Sequence, residues 1–389
     1  MSEIKSPSHW KVTQLENIAT LQRGKDLPVD KREQGSYPVV GSNGIVGYHL
    51  EFVAHGPGVV VGRSGSVGKV TWVESNYWPL NTALWVKDFH GNEPLFISYF
   101  LDYLDLGKYT GGVSVPTLNR NVVHPLQVAV PSVPEQKAIA HTLRTIQKAK
   151  EARQRELDLE RERKAALMQY LFTYGTRNEP RKQTKIGEIP ESWDVVPVGK
   201  ICNSIVPGRN KPKRFDGTIP WITIPDIRGK TKVEASLSGL AVSREAVAEA
   251  GGRIIPTGSV IMSCVGNFGI ASIAGCDLVI NQQLHAFICP ENLDAYFLSH
   301  ALQKQKSYME GIALVTVVPY LNKDKCNSVP IPLPSFDEQK QITEIISACD
   351  AKLTALEKEI STLDELFRAM LEKLMTGRLS ALPLVELKV

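Results

Sequence analysis

Gly62-Arg63-Ser64-Gly65-Ser66-Val67-Gly68-Lys69 is the stretch whose spacing comes nearest to chemistry. A phosphate-binding loop of the form G-x-x-x-x-G-K-[ST] cradles phosphates in backbone N–H groups, with the lysine on phosphate and the hydroxyl on a metal ion. Arg63 stands where that pattern needs its first glycine, and Val70 stands where it needs the hydroxyl. What remains is a turn between Val-rich strands that presents N–H groups with Arg63, Ser64 and Lys69. Those groups suit a DNA phosphate or a base edge, and the same run also fits a plain glycine hairpin. Glu-Gln-Lys at 135–137 and at 338–340 contains the E-x-K part of a nuclease signature, and Pro225-Asp226 supplies a P-D. The P-D lies far from the second E-x-K, and each E-x-K opens a long helical pattern, so helix-starting charge is the better account.

Other chemistries lack their residues. The chain has no N-P-P-[YF] or D-P-P-[YF] run and no glycine-rich turn of the kind that holds S-adenosylmethionine. It has no G-x-S-x-G elbow, and its eight histidines lack metal-ligand spacing. Six cysteines without a C-x-x-C read as reduced, mostly buried thiols. The expectation is a binding protein with no catalytic residue, metal or cofactor.

Bases cluster in a way that suits loops on a polyanion, and that also fits plain solvated loops. Arg23 and Lys25 follow the first Trp block, and Arg209, Lys211, Lys213 and Arg214 follow the second in P-G-R-N-K-P-K-R-F. Asn119-Arg120 and Asn322-Lys323 recur as a polar pair after an apolar turn, and Asn267 occupies a second glycine loop. Asn and Arg are the side chains that pair bidentately with adenine and guanine. A position shared by both halves, however, argues for a shared role, such as holding a domain or a phosphate.

These candidates sit on a duplicated frame. Val318 follows Val115, and Pro334 follows Pro131, by the same 203 positions, in V-P-x-L-N and P-S-x-x-E-Q-K contexts. Trp10 is echoed by Trp193, the Gly65–Gly68 loop by Gly266–Gly269, and Asn81 by Asn281. One structural unit used twice is the economical explanation. The offset grows between Trp193 and Gly266, so an insertion of about 20 residues lies there, of the kind that loops accept. Unbroken helical periodicity runs over 134–173 and 337–376, each opening with proline and acid. The second helix carries an apolar heptad seam from Ile342 to Leu374, whereas the first turns polar in mid-seam at Lys150, Arg153, Glu160 and Lys164. The first counts nine bases to six acids and the second five to nine, which favours their lying together; a dimerisation coiled coil fits the pattern too, and the repeat favours an antiparallel pair within one chain. The fold class expected is α+β: two similar mainly-β domains separated by two long antiparallel helices forming a coiled coil, with a pseudo-two-fold internal repeat. Residues 1–130 and 191–333 are the β domains, 131–175 and 334–378 the helices, 176–190 a linker and 379–389 a tail. Late helices are expected over 94–106 and 293–310.

At 389 residues and 43% apolar the chain is long enough for several domains, and its net charge of +4 permits nucleic acid without demanding it. No apolar run approaches a bilayer span and no signal pattern is seen, so the expected location is the cytoplasm.

The residues taken together resemble the specificity subunit of a Type I restriction-modification system. The resemblance rests on W-x-x-x-x-L at Trp10–Leu15 and W-x-x-x-x-V at Trp193–Val198, on V-P-x-L-N, and on I-P-L-P-x-x-x-E-Q at Ile331–Gln339 with Met375-Thr376-Gly377 behind the helix. In the first half the corresponding strings weaken to Val128-Ala129-Val130-Pro131 and Phe172-Thr173-Tyr174-Gly175. The resemblance implies two target-recognition domains, each reading half of a bipartite double-stranded DNA site, with the helices as spacer. It implies no catalysis by the chain itself. Two methyltransferase subunits, acting on adenine N6, and restriction subunits would dock on it. A scaffold of two β domains on a coiled coil, binding proteins without DNA specificity, is the alternative from another class.

Overall fold

Short Val- and Ile-rich runs punctuated by Gly and Pro form strands, and the two unbroken periodic segments form helices. The computed structural model describes residues 7–110, 116–208, 210–314 and 317–386; Val115 and Arg209 lie outside the described residues. The chain folds as two compact units, Met1–Glu156 with Leu356–Val389, and Leu157–Ala355. Each unit therefore takes one β module, the beginning of one long helix and the end of the other.

In the first unit, Thr20–Arg23, Ala83–Asp88, Gly58–Gly62 and Val70–Val73 form an antiparallel four-stranded sheet in that order. A second sheet sets Tyr37–Gly41 between Gly44–His49, antiparallel, and Trp78–Pro79, parallel. Lys11–Gln14 pairs with Gln127–Val130. The second unit repeats this order. Asn203–Ile205, Leu284–Ile288, Val260–Ser263 and Ala271–Ala274 form the equivalent run, extended by Lys232–Val233. Ile219–Ile222 lies parallel to Val279–Ile280, and Asp194–Pro197 pairs with Pro330–Leu333. The additions, strand Lys232–Val233 and helices Ile224–Ile227 and Arg244–Glu249, fall where the repeat offset grows.

The long helices span Val133–Tyr174 and Phe336–Met375, within a residue of the periodic segments. Within the first unit they run antiparallel: Lys150 pairs with Asp364, and Arg153 Nε meets Glu359 Oε2 at 2.8 Å. Within the second unit Lys164 pairs with Asp350, and Lys352 Nζ lies 3.6 Å from Glu160 Oε2. The polar mid-seam residues of the first helix thus meet charges of opposite sign on the second. Such pairs fix register more than they add stability, each contributing at most about 1 kcal/mol.

The late helix of the first unit, Pro94–Leu104, buries Phe96, Phe100 and Leu101 against Leu21, Val59 and Val86 of the four-stranded sheet. Ile139, Leu143, Leu374 and Met375 of the long helices complete that core. In the second unit the expected helix over 293–310 is two, Ala295–Lys304 and Lys306–Ile312, with Gln305 between them. Phe297 of this pair stacks on Phe172 of the first long helix, ring centroids 5.3 Å apart. All six cysteines are free thiols.

One expectation needs correction. The segment read as a linker over 176–190 holds a β-hairpin, Arg181–Thr184 with Gly187–Pro190, in which Ile189 is buried. The E-Q pairs at the helix starts also do more than complement a helix dipole, since Glu135, Gln136, Glu338 and Gln339 are all buried. Gln136 accepts from Glu93 N (2.9 Å) and donates to Asn92 Oδ1 (2.8 Å) and Pro131 O (3.0 Å). Gln339 likewise accepts from Asp294 N (2.9 Å) and donates to Pro334 O (3.0 Å). Each glutamine ties a long helix to the start of its module's late helix. Glu338 accepts from Trp193 Nε1 (3.1 Å) and from Thr176 N (2.9 Å). Its counterpart Glu135 has His9 Nε2 at 3.3 Å.

Candidate nucleic-acid interface

The glycine loop forms as a tight reversal between Gly58–Gly62 and Val70–Val73. Gly62 N donates to Lys69 O and Gly68 N to Gly62 O, both at 2.8 Å. Gly65 and Gly68 both sit at φ +82°, in the left-handed region that a side chain disfavours. The second loop repeats the device, with Gly266 at φ +72° and Gly269 at φ +75°.

Arg63 leaves this loop from a fixed backbone. Its N–H donates to Thr82 O (2.9 Å) and its carbonyl accepts from Leu118 N (2.8 Å). Its side chain is half-buried in a concavity of about 850 Å³ whose polar lining includes Gln22, Arg23, Tyr109, Asn119 and Arg120. Arg63 Nη1 and Arg23 Nε approach the same acceptor, Asn81 O, at 3.5 and 3.3 Å. No carboxylate among the described residues lines the concavity. Among the described residues, the salt bridges of the chain involve none of Arg23, Arg63 and Arg120. Three guanidinium groups of like charge, held together without an acid, leave a local excess of positive potential that an anion would neutralise.

Arg23, Arg63, Asn119 and Arg120 are thus brought together. Ser64 adjoins them, with its N–H on Thr82 O at 3.1 Å and its backbone bridged to Thr117. Lys69 turns elsewhere: its Nζ donates to Asn43 O (2.8 Å) and Asn43 Oδ1 (2.9 Å) and lines a different cavity, of about 1130 Å³, beside Arg144 and Lys150. Lys25 is exposed, its backbone bridged to Leu80. The recurring asparagines have a local task. Asn119 Oδ1 accepts from Asn121 N (3.0 Å) and Asn322 Oδ1 from Lys325 N (2.9 Å), each capping a short helix that Arg120 or Lys323 begins. Asn267 is exposed in the second glycine loop. Lys211, Lys213 and Arg214 are exposed between Asn203–Ile205 and Ile219–Ile222. Arg214 Nη2 meets Glu249 Oε1 at 2.9 Å, and Lys211 Nζ lies 5.4 Å from the Phe215 ring centroid.

The second unit fills the equivalent place differently. Leu321 N donates to Cys264 O at 2.8 Å, as Leu118 N does to Arg63 O, so Cys264 stands where Arg63 stands. The ladder pairs Met262 with His285 where it pairs Val61 with Leu84. Continued by one residue, the same registers set Val206 at the place of Arg23. His285 is buried, its Nε2 has no hydrogen-bond partner among the described residues, and burial pushes its pKa down to about 4. Neither Gln22, Tyr109 nor His285 carries a motif that would single it out in sequence; the Arg63–Cys264 correspondence was visible once the two glycine loops are aligned.

The family model for the Type I restriction modification DNA specificity domain matches residues 7–161 and again residues 190–364. The chain belongs to this family. Two specificity domains therefore stand in tandem, one for each β module. The MjaVIII specificity subunit of Methanocaldococcus jannaschii is 23% identical over 422 aligned positions, covering 97% of this chain and 95% of that protein. The MjaIX specificity subunit of the same organism is 26% identical over 190 residues, which are 48% of this chain and 44% of the relative. The fold matches the solved S subunit of a Type I restriction-modification system from M. genitalium with TM-score 0.66 at 16% identity, over 96% of this chain and 97% of that one. A chain solved in work on complex assembly and conformational transition of the type I R-M system matches with TM-score 0.58 at 16% identity, over 97% and 100%. Those structural likenesses bear on the fold of the specificity domains. Among the described residues no helix is long and apolar enough to cross a membrane.

Proposed function

We propose that this chain is the DNA-reading subunit of a Type I restriction-modification complex. The β modules within 1–130 and 191–333 each read one part of a bipartite duplex site. The helices within 131–175 and 334–378 set the length of the unread spacer. Two adenine-N6 methyltransferase subunits and the restriction subunits assemble on the chain, which contributes specificity and no catalysis.

The observation that carries this reading is the concavity lined by Arg23, Arg63 and Arg120 with no acid among the described residues, in a chain of this family. Phosphate neutralisation releases counterions, so the logarithm of affinity falls with the logarithm of salt by about 0.9 per phosphate contact. Filter binding of the full chain to duplex DNA should therefore show a steep salt slope. The double variant Arg23→Ala/Arg120→Ala should make that slope shallower by about two. Binding that is absent, or indifferent to salt between 50 and 200 mM (roughly the range over which such complexes weaken a thousandfold or more), would favour the protein-scaffold alternative.

A further inference from the structure

We propose that Arg63 reads a guanine for the first half-site, and that the second module, with Cys264 in the equivalent place, reads its half-site without an arginine at that position. This inference rests on the DNA-reading function proposed above and assigns its chemistry half by half.

Reading a base edge and holding a phosphate ask different things of a side chain. A base reader must be aimed, because two parallel hydrogen bonds to O6 and N7 tolerate little misplacement. A phosphate contact tolerates a long side chain at a rim. Arg63 has its N–H and its carbonyl both bound to neighbouring strands, on Thr82 O and Leu118 N. It is half-buried, and Asn81 O accepts from its guanidinium without neutralising it. The planar fork is therefore held, charged and unpaired, in the concave face. Arg23 ends a strand and Arg120 begins a short helix, and both are exposed. They suit phosphates on either side.

The second module keeps one rim cation and changes the centre. Lys323 begins its capped helix as Arg120 does. At the centre, Cys264 is buried with its thiol on Gln282 O at 3.8 Å. Beside it the Arg23 position is Val206, and His285 is buried. Among the described residues no arginine takes the central position there. The capped-helix anchor is thus common to both modules, while the Arg23 anchor and the central contact belong to one.

The test is selection of bound duplexes from a randomised pool with the full-length wild type, Arg63→Ala, Arg63→Gln and Arg23→Ala/Arg120→Ala. With either Arg63 variant, discrimination at one G·C pair of one half-site should fall roughly tenfold to a hundredfold. The other half-site should be unchanged. The double variant should weaken all sequences alike and leave the selected motif intact. A partly folded variant lowers the bound fraction without moving the base composition of what is bound, so a folding defect does not imitate this result. Unchanged motifs with both Arg63 variants overturn the assignment of Arg63 alone, as does a uniform loss of affinity with a shallower salt slope. A wild-type chain that binds no duplex refutes the DNA-reading function and this inference with it.

Discussion

Replacing Glu338 by alanine removes the carboxylate on which Trp193 Nε1 and Thr176 N both depend. Both donors sit beside a side chain with 1% exposure, and Trp193 itself is fully buried. Water is therefore poorly placed to replace the lost acceptor. An orphaned buried donor costs about 1–3 kcal/mol, so two cost about 2–6 kcal/mol together. A destabilisation of about 2–6 kcal/mol is expected for Glu338→Ala. The repeat supplies an internal control. Glu135 occupies the same place in the first unit, also at 1% exposure, but its partner is His9, whose side chain is 44% exposed and open to hydration. Trp10 Nε1 already lacks a hydrogen-bond partner among the described residues, so Glu135→Ala orphans nothing there. Its expected cost is about 1 kcal/mol or less. Urea unfolding followed by tryptophan fluorescence measures both variants, and hydrogen exchange over the segment around Trp193 locates the change. Equal losses for the two variants, or a larger one for Glu135→Ala, would refute the claim that the number of dependent donors sets the cost.

Acid should weaken the second unit through His285. Burial holds this imidazole near a pKa of about 4, against an ordinary 6.5. Between those values the unfolded chain takes up a proton that the folded one excludes, so stability falls as pH drops from about 6.5 towards 4 and is retained above that window. At pH 5 the loss relative to pH 7 is about 2 kcal/mol. His285→Leu should remove most of that difference in urea midpoints; a variant with the wild-type pH dependence contradicts it. Insertion of four residues into the middle of either long helix adds about 6 Å of rise, close to two base-pair steps of about 3.4 Å. In cells co-expressing the methyltransferase subunit, long-read mapping of N6-methyladenine should then report a longer spacer between unchanged half-sites. An unchanged spacer counts against the helices as the ruler.

Much of the fold was written where residue identity is fixed by a local task. The asparagines of V-P-x-L-N recur because each caps a helix, and E-Q recurs because each pair is buried between a helix and its module. The repeat was legible for that reason, though the task was not: Glu at a helix start looks the same in sequence whether it faces water or a buried indole. The polar mid-seam of the first helix was visible as an anomaly and became intelligible only with Asp364, Glu359, Lys352 and Asp350 opposite it. The hairpin over 181–190 was missed because R-K-Q-T-K-I-G-E-I-P shows little apolar alternation to mark a strand, and its buried residues, Ile189 and Pro190, lie at its end. The candidate site divided similarly. Arg23, Arg63, Asn119 and Arg120 were singled out separately by type, but that they line one concavity while Lys69 turns to Asn43 follows from pairing between strands distant in sequence, Arg23 with Leu84 and Ser64 with Thr117.

Because the first unit needs Leu374, Met375 and Ala381 in its core, the order of synthesis is not the order of completion. Residues 157–355 can close their core once they have left the ribosome, whereas the module translated first must wait for residues beyond 356. A premature stop codon near residue 355 would therefore spare the later-made half and leave the earlier-made half unfinished. Over the same interval that earlier half would stand with an apolar flank open to chaperones.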